Sequence, residues 1–451
     1  MSTSEPNSGL ERLFRETGWT LRQFAQAVNR IGTEQGTPVR YRPPSVHQWL
    51  NGGMPRESAR PLILEALARR LGRAVAPADA CFAAPEAPSA SGTVDGIIDL
   101  GRQDMDPSRR SVIGSALFSV ALTVPNWPDV VGRMEAAQTG GIQKIGMEDV
   151  QMVIAMTERV SDLDDQFGGR HARPMAAAFL VNTVAPYLRA DGAEPVRKAM
   201  MSAASDLCYL TGYMAVDEGV HGLAQRYYLK ALELAGASED HLTYCTTLRG
   251  MSVQAVDLGH GREAMRLADA AAAASPKAGP RMRAFLAGQQ AHASAQIGDN
   301  SRALIYLREA EVSIEKAESR SPAFGSYNPS TFAYHVAQVR YELGDIPGSV
   351  DYLHTHFRLR DSTDSRRSAI RFSSMLAERQ LRMGHLEAAC GTWEKVLDEY
   401  PTIHSGRVDQ QVSRIIPLLE PYRSNSAAGE IYERSRQSRG KTGGPRFGTS
   451  P

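Results

Sequence analysis

The stretch MLAERQLRMGHLEAACGTWEKVLDEYP, residues 375–401, decides the fold. Met375, Leu376 and Leu381 recur at helical spacing, and Gly384 ends that helix by tolerating a left-handed backbone. Ala389, Trp393 and Val396 mark one face of a second helix, which Pro401 stops. The pattern occurs four times upstream. Gly219, Gly259, Gly298 and Gly344 are each followed five residues later by a small residue (Ala224, Ala264, Ala303 and Ser349), as Gly384 is by Ala389. Successive glycines lie 40, 39, 46 and 40 residues apart. Such a period predicts an all-α solenoid of helix pairs, each packing on its neighbours. The small residues let the two helices of a pair approach closely.

The pattern resembles the tetratricopeptide repeat. Gly212, Ala224, Tyr228 and Ala231 follow one another in the order of that family's signature positions. The family's period is about 34 residues, so the longer one here implies longer helices or turns. The resemblance implies a binding array rather than a catalyst, with the first helix of each pair lining a groove. It places Tyr209, Tyr213, Arg249, His292, Tyr334, Gln338, Arg371 and Glu378 on that groove as effector-binding residues. Aromatics with arginines suit an extended peptide and its carboxylate. The implied effector is a protein, a peptide or a small molecule.

What the array serves depends on what precedes it. The chain of 451 residues has a net charge of only +1, but residues 1–73 hold eleven Arg and six Glu, a net +5. A basic head on a mildly acidic body is the charge pattern of a nucleic-acid reader. In the head, Leu10–Thr17 and Leu21–Ile31 have helical spacing, with Thr20 placed to cap the second helix. Ser45–Leu50 is a short helix stopped by Gly52, Gly53 and Pro55, and Pro61–Leu71 a fourth. Leu21, Phe24, Ala25 and Val28 share one apolar face, and Val46, Trp49 and Leu50 share another. Ser45, His47 and Gln48 then point outward, just after Arg42 and Pro44, on a helix sized for a major groove.

The pattern S-x-x-x-W-L-x-G-x-x-P at Ser45–Pro55 resembles the phage-repressor-type (XRE) helix-turn-helix family. The resemblance implies DNA binding, with Ser45, His47 and Gln48 at base edges and Arg42, Arg56 and Arg60 at phosphates; Pro44 belongs to the same surface. Two half-sites are usual for such modules, which implies a homodimer. One departure stands out. The family's turn is short, whereas Gly32–Arg42 intervenes here, carrying Arg40, Tyr41 and Arg42. That insertion either adds a contact to the nucleic-acid backbone or marks a head that docks proteins instead. Head, linker and repeats together resemble actinobacterial transcriptional regulators, through Ser45–Pro55, Leu64–Arg73, Ser108–Leu117, Phe167–Arg173 and Tyr187–Arg189. The alternative is an adaptor that uses both parts for protein contacts and never touches DNA.

The expected organisation is a helix-turn-helix domain at 10–73, a flexible linker at 74–110, a helical connector with a divergent helix pair at 111–200, repeats at 200–423 and a disordered basic tail at 424–451. Other chemistry finds little support. Cys81, Cys208, Cys245 and Cys390 are far apart with no CxxC spacing, so no zinc ribbon or redox dithiol is expected. Gly259–Ala264 matches GxGxxA, but a helix precedes it where a dinucleotide site needs a strand. His354 and His356, two apart, would leave a helix on different sides. No phosphate loop, HExxH or GxSxG occurs, so neither an enzyme nor a cofactor or metal is expected. Ser108–Gly114 resembles a twin-arginine signal but lies more than a hundred residues in; the longest apolar run, Val112–Val124, falls short of the ~20 residues a membrane span needs. A cytoplasmic protein is the expectation.

Overall fold

The computed structural model describes residues 8–34, 39–71, 75, 77–82, 92–105, 144–274, 278–317, 327–361 and 365–442. The first part of the expected connector, residues 111–143, and the motif at Ser108–Gly114 lie outside these residues. The described chain is all-α, with no strand and only an isolated bridge between Lys144 and Asp191.

It divides into two compact units, Met1–Val153 with Ala177–Gly212 and Val220–Leu267, and Ile154–Ala176 with Tyr213–Gly219 and Ala268–Pro451. The first begins with a four-helix head: α1 (Ser8–Thr17), α2 (Leu21–Glu34), α3 (Pro43–Leu50) and α4 (Arg60–Leu71). Thr20 caps α2 as expected. Gln23 N donates to the Thr20 hydroxyl at 3.3 Å, and Thr20 N donates to the Gln23 amide oxygen at 2.8 Å. This reciprocal pair satisfies two donors at the helix start. Leu10, Leu13, Phe24, Val28, Val46, Ile63 and Leu67 are fully buried and form the core of the head. Phe24 sits between Phe14 and Trp19, with ring centroids 5.6 and 5.7 Å away.

The head runs past the expected boundary at 73. Val75, Ala80 and Phe82 are buried. A Cβ on Gly9 would lie 2.5 Å from the Asp79 carbonyl oxygen, so α1 and the Pro77–Ala80 turn approach as closely as glycine permits. The expected flexible linker is also interrupted by α5 (Thr93–Met105), which buries Val94, Ile97 and Leu100. A Cβ on its Gly101 would meet Val181 Cγ2 at 2.5 Å, and its buried Asp104 accepts a 2.9 Å hydrogen bond from the Tyr227 hydroxyl. The Ala/Pro/Ser-rich run hides this helix because its apolar face spans only three turns.

The leading helix pair is α6 (Met147–Phe167) and α7 (Gly169–Phe179), separated by Gly168 at φ +91°. A single π-helical turn, Leu180–Val184, links α7 to the short α8 (Ala185–Arg189), where Pro186 lacks the donor a regular helix would use.

Five helix pairs follow: α9 (Glu194–Asp217) with α10 (His221–Ala237), α11 (His241–Asp257) with α12 (Gly261–Ala274), α13 (Pro280–Gln296) with α14 (Asn300–Glu315), α15 (Pro329–Glu342) with α16 (Ile346–Leu359), and α17 (Arg366–Arg382) with α18 (Leu386–Glu399). The five repeat glycines sit in the turns at φ +77° to +83°. After most of them the next amide bonds five residues back, as in Asp299 N to Ser294 O at 3.0 Å and Asp345 N to Arg340 O at 2.9 Å, which closes the orphan carbonyls of the first helix. Ala224, Ala264, Ala303, Ser349 and Ala389 are all fully buried at the helix crossings. Where a serine stands there, it is bonded inward: Ser349 Oγ donates to the Ala337 carbonyl at 2.6 Å.

A last pair lacks the glycine signature. α19 (Gly406–Leu419) and α20 (Ser426–Thr442) close the core around Trp393 with Val412, Ile415, Ala428 and Ile431. The expected disordered tail is therefore helical from Ser426 to Thr442; residues 443–451 lie outside the described residues. Charge and glycine content masked an anchoring stripe of Ala428, Ile431 and Ser435 at helical spacing.

Candidate nucleic-acid interface and repeat face

On α3, Val46 and Trp49 are buried while Pro44, His47 and Gln48 are exposed and Ser45 is half-buried. Pro43 and Pro44 start the helix, where missing N–H groups would have no partner anyway. Arg42 precedes them, extended and exposed. His47 and Asn51 adjoin one turn apart, and Asn51 Nδ2 donates to the His47 carbonyl at 2.9 Å. Arg56 is exposed, and Arg60 is half-buried with Nε donating to the Pro55 carbonyl at 3.1 Å. The seven residues expected at nucleic acid thus lie on or beside one short helix with an open outer face. Arg12, Arg15, Arg22, Arg30 and Arg40 are exposed on the same head.

The eight expected groove residues do not converge. In the first unit, Tyr209 is buried, with its ring 5.7 Å from Tyr228 and its edge where a Cβ on Gly250 would fall. Arg249 is half-buried. In the second unit, Tyr213 is half-buried beneath the Arg367 guanidinium, and His292 is buried with its ring 6.4 Å from His335. These rings fill space between helices instead of lining an open surface.

One patch of the second unit does gather several expected residues. Tyr334 stacks on Phe372 at 4.3 Å, and Arg371 lies 6.0 Å over the same ring. Buried Gln338 accepts a hydrogen bond from Arg379. Glu378 faces Arg414, Arg382 and Arg379, and burial raises its carboxyl pKa despite them. The residue missed in the sequence is Arg379. It is only 4% exposed, its Nη1 donates to Ser349 Oγ at 2.7 Å, and it stacks over Tyr341 at 4.3 Å. Burial brings its pKa down to about 10. The available signal was Ser349, which stands where the other repeats have alanine and leaves an oxygen for a guanidinium.

Among the described residues no group of three or more His, Cys, Asp or Glu side chains could hold a metal ion. Among them, too, no helix is long and apolar enough to cross a membrane.

A family model for the SP15 N-terminal domain matches residues 10–83, the span of the folded head. No curated protein matches the chain. Among solved structures, the nearly identical TPR-like repeats of Podosopora anserina share 17% identity, covering 45% of this chain and 98% of that one at a TM-score of 0.34. The APC/C hetero-tetramer Cut9–Hcn1 shares 12% identity over 95% of this chain and 74% of that one, also at 0.34. An IFIT1 monomeric mutant solved with Gppp-AAAA shares 12% identity over 96% and 94%, at 0.35. These likenesses are too distant to carry an assignment; the array of helix pairs rests on its own turns and crossings.

Proposed function

We propose that the chain is a sequence-specific DNA-binding transcriptional regulator whose repeat array binds an effector. The observation that carries this reading is the outer face of α3. Val46 and Trp49 anchor the helix while Ser45, His47, Gln48 and the preceding Arg42 and Pro44 are left toward solvent on a head of net charge +5. A helix in a major groove reads bases by such polar side chains, and arginines supply the phosphate attraction that dominates affinity. The effector acts by favouring one arrangement of the array over another, and with it the head's access to its operator.

A mobility-shift titration of the full-length protein on the region upstream of its own gene, at low salt, tests the reading. A retarded band that Ser45→Ala/His47→Ala/Gln48→Ala loses on that sequence, but keeps on unrelated duplex, is the expected result. No shift on any duplex at low salt would leave the adaptor reading in its place.

A further inference from the structure

The connection between α2 and α3 is held at its far end by a single side chain. Asn29, on α2, donates from Nδ2 to the Tyr41 carbonyl at 2.8 Å and accepts from Tyr41 N at 2.7 Å. One amide thereby satisfies both backbone groups of one residue, as a neighbouring strand would. The Tyr41 ring meets Trp49 edge-on at 4.8 Å, with Trp49 only 6% exposed. Arg42 then takes an extended backbone, φ −126° and ψ 166°, as a residue before proline prefers. Tyr41 is therefore fixed through its backbone and its ring, and Arg42 through the proline that follows.

The side chains alternate along this arm. Arg40 is exposed, Tyr41 is partly buried and Arg42 is exposed. Neither arginine enters an ion pair among the described residues. The two exposed guanidiniums thus flank the pinned, partly buried Tyr41. They lie directly before α3, the helix assigned to the groove.

We propose that Asn29 is a positioning residue for DNA binding: it clamps the Arg40–Arg42 arm so that both arginines contact phosphates beside the site read by α3. The inference rests on the DNA-binding reading and gives the long inter-helix connection a function. A mobile connection would spend the two charges on a diffuse attraction; a pinned one turns them into two defined contacts.

The test uses the full-length protein and a fluorescein-labelled 30-base-pair duplex of mixed sequence, with anisotropy read between 50 and 200 mM salt. Each lost phosphate contact lowers the slope of log K against log salt by about 0.9. Arg40→Ala/Arg42→Ala is expected to lower the slope by about 1.8 on that scale. Asn29→Ala is expected to lower it by at least half as much, with the head still folded by circular dichroism. Adding Asn29→Ala to the arginine double variant should change affinity less than twofold, because the clamp then has nothing to position. Full additivity of the two effects, or a wild-type slope in the arginine variant, overturns the proposal. The arginines are exposed, so their variant stays informative even if Asn29→Ala fails to fold. Wild-type protein that binds no duplex sinks the DNA-binding reading itself, a result distinct from either.

Discussion

Arg367 and Asp164, 203 residues apart in sequence, are hydrogen-bonded at 2.5 Å with both side chains buried. The same guanidinium faces Asp217 at 3.6 Å and lies 5.1 Å from the Tyr213 ring. Asp217 in turn accepts a 2.8 Å hydrogen bond from Ser405. One buried cation between two buried anions thus ties α6, α9 and α17 together in the second unit. Asp165 also reaches the Arg367 guanidinium, at 3.9 Å, while neighbouring charges form their own pairs: buried Arg173 with Glu218 at 2.8 Å, Arg170 with Asp409 at 2.8 Å and Arg366 with Glu399 at 3.7 Å.

Removing the cation strands both carboxylates. Breaking a buried pair from one side costs about 3–5 kcal/mol, so Arg367→Met should lower the urea midpoint of the full chain by that equivalent. A midpoint unchanged within error would show that water reaches these carboxylates.

The same network has a pH signature. Burial outweighs the Arg367 charge and pushes the Asp164 carboxyl up to about 6 from an ordinary 3.8. A carboxyl with a raised folded pKa stabilises the fold fully below its unfolded value, and that contribution fades as pH rises through its folded value. The second unit should therefore gain stability between pH 7 and pH 5 from this site, by no more than about 3 kcal/mol. Asp164→Asn should flatten that part of the profile, read as unfolding free energy against pH. A profile for the Asn variant that matches wild type would refute the assignment.

Two glycines predict opposite outcomes for one substitution. Gly298 sits at φ +79° with open space around it, so Gly298→Ala loses only backbone ease, about 1–2 kcal/mol. Gly391 lies exposed inside α18 with no atom within 4 Å of its Cβ position. Gly391→Ala should gain about 0.5–1 kcal/mol. Thermal melts of the two variants should move in opposite directions.

At α5 the expected effect is steric. A Cβ on Gly101 would lie 2.5 Å from Val181 Cγ2 and 3.2 Å from the Ala177 carbonyl oxygen. Gly101→Ala should loosen α5, read as faster amide exchange across Thr93–Met105 with exchange in α1–α4 unchanged. Exchange in the variant equal to wild type would mean that α7 and its π turn give way instead.

The repeat was legible because its determinants are local. A left-handed turn needs glycine, and a close helix crossing needs a small residue, so Gly344 and Ser349 announce their geometry to any reader of the chain. The four head helices were legible for the same reason, through Phe24, Val46 and Trp49 at helical spacing. What escaped were features set across distance. Tyr209 has the chemistry of a binding residue, but Gly250 on the first helix of the following pair leaves a hole for its ring. Arg379 reads as a surface arginine until Ser349 and Gln338 are brought to it. Helices α5 and α20 lie among Ala, Pro, Ser, Gly and Arg, and only the partners of Leu100 and Ile431 show that those short apolar stripes are covered.

The docking of α5 sets a leash. Only residues 83–91 connect the head, which closes with Phe82, to Gly92 and the first turn of that helix. Nine residues stretch to about 32 Å at most. The head is thereby held near α5 at an effective concentration in the millimolar range. A contact between the head and this helix would therefore need little affinity of its own.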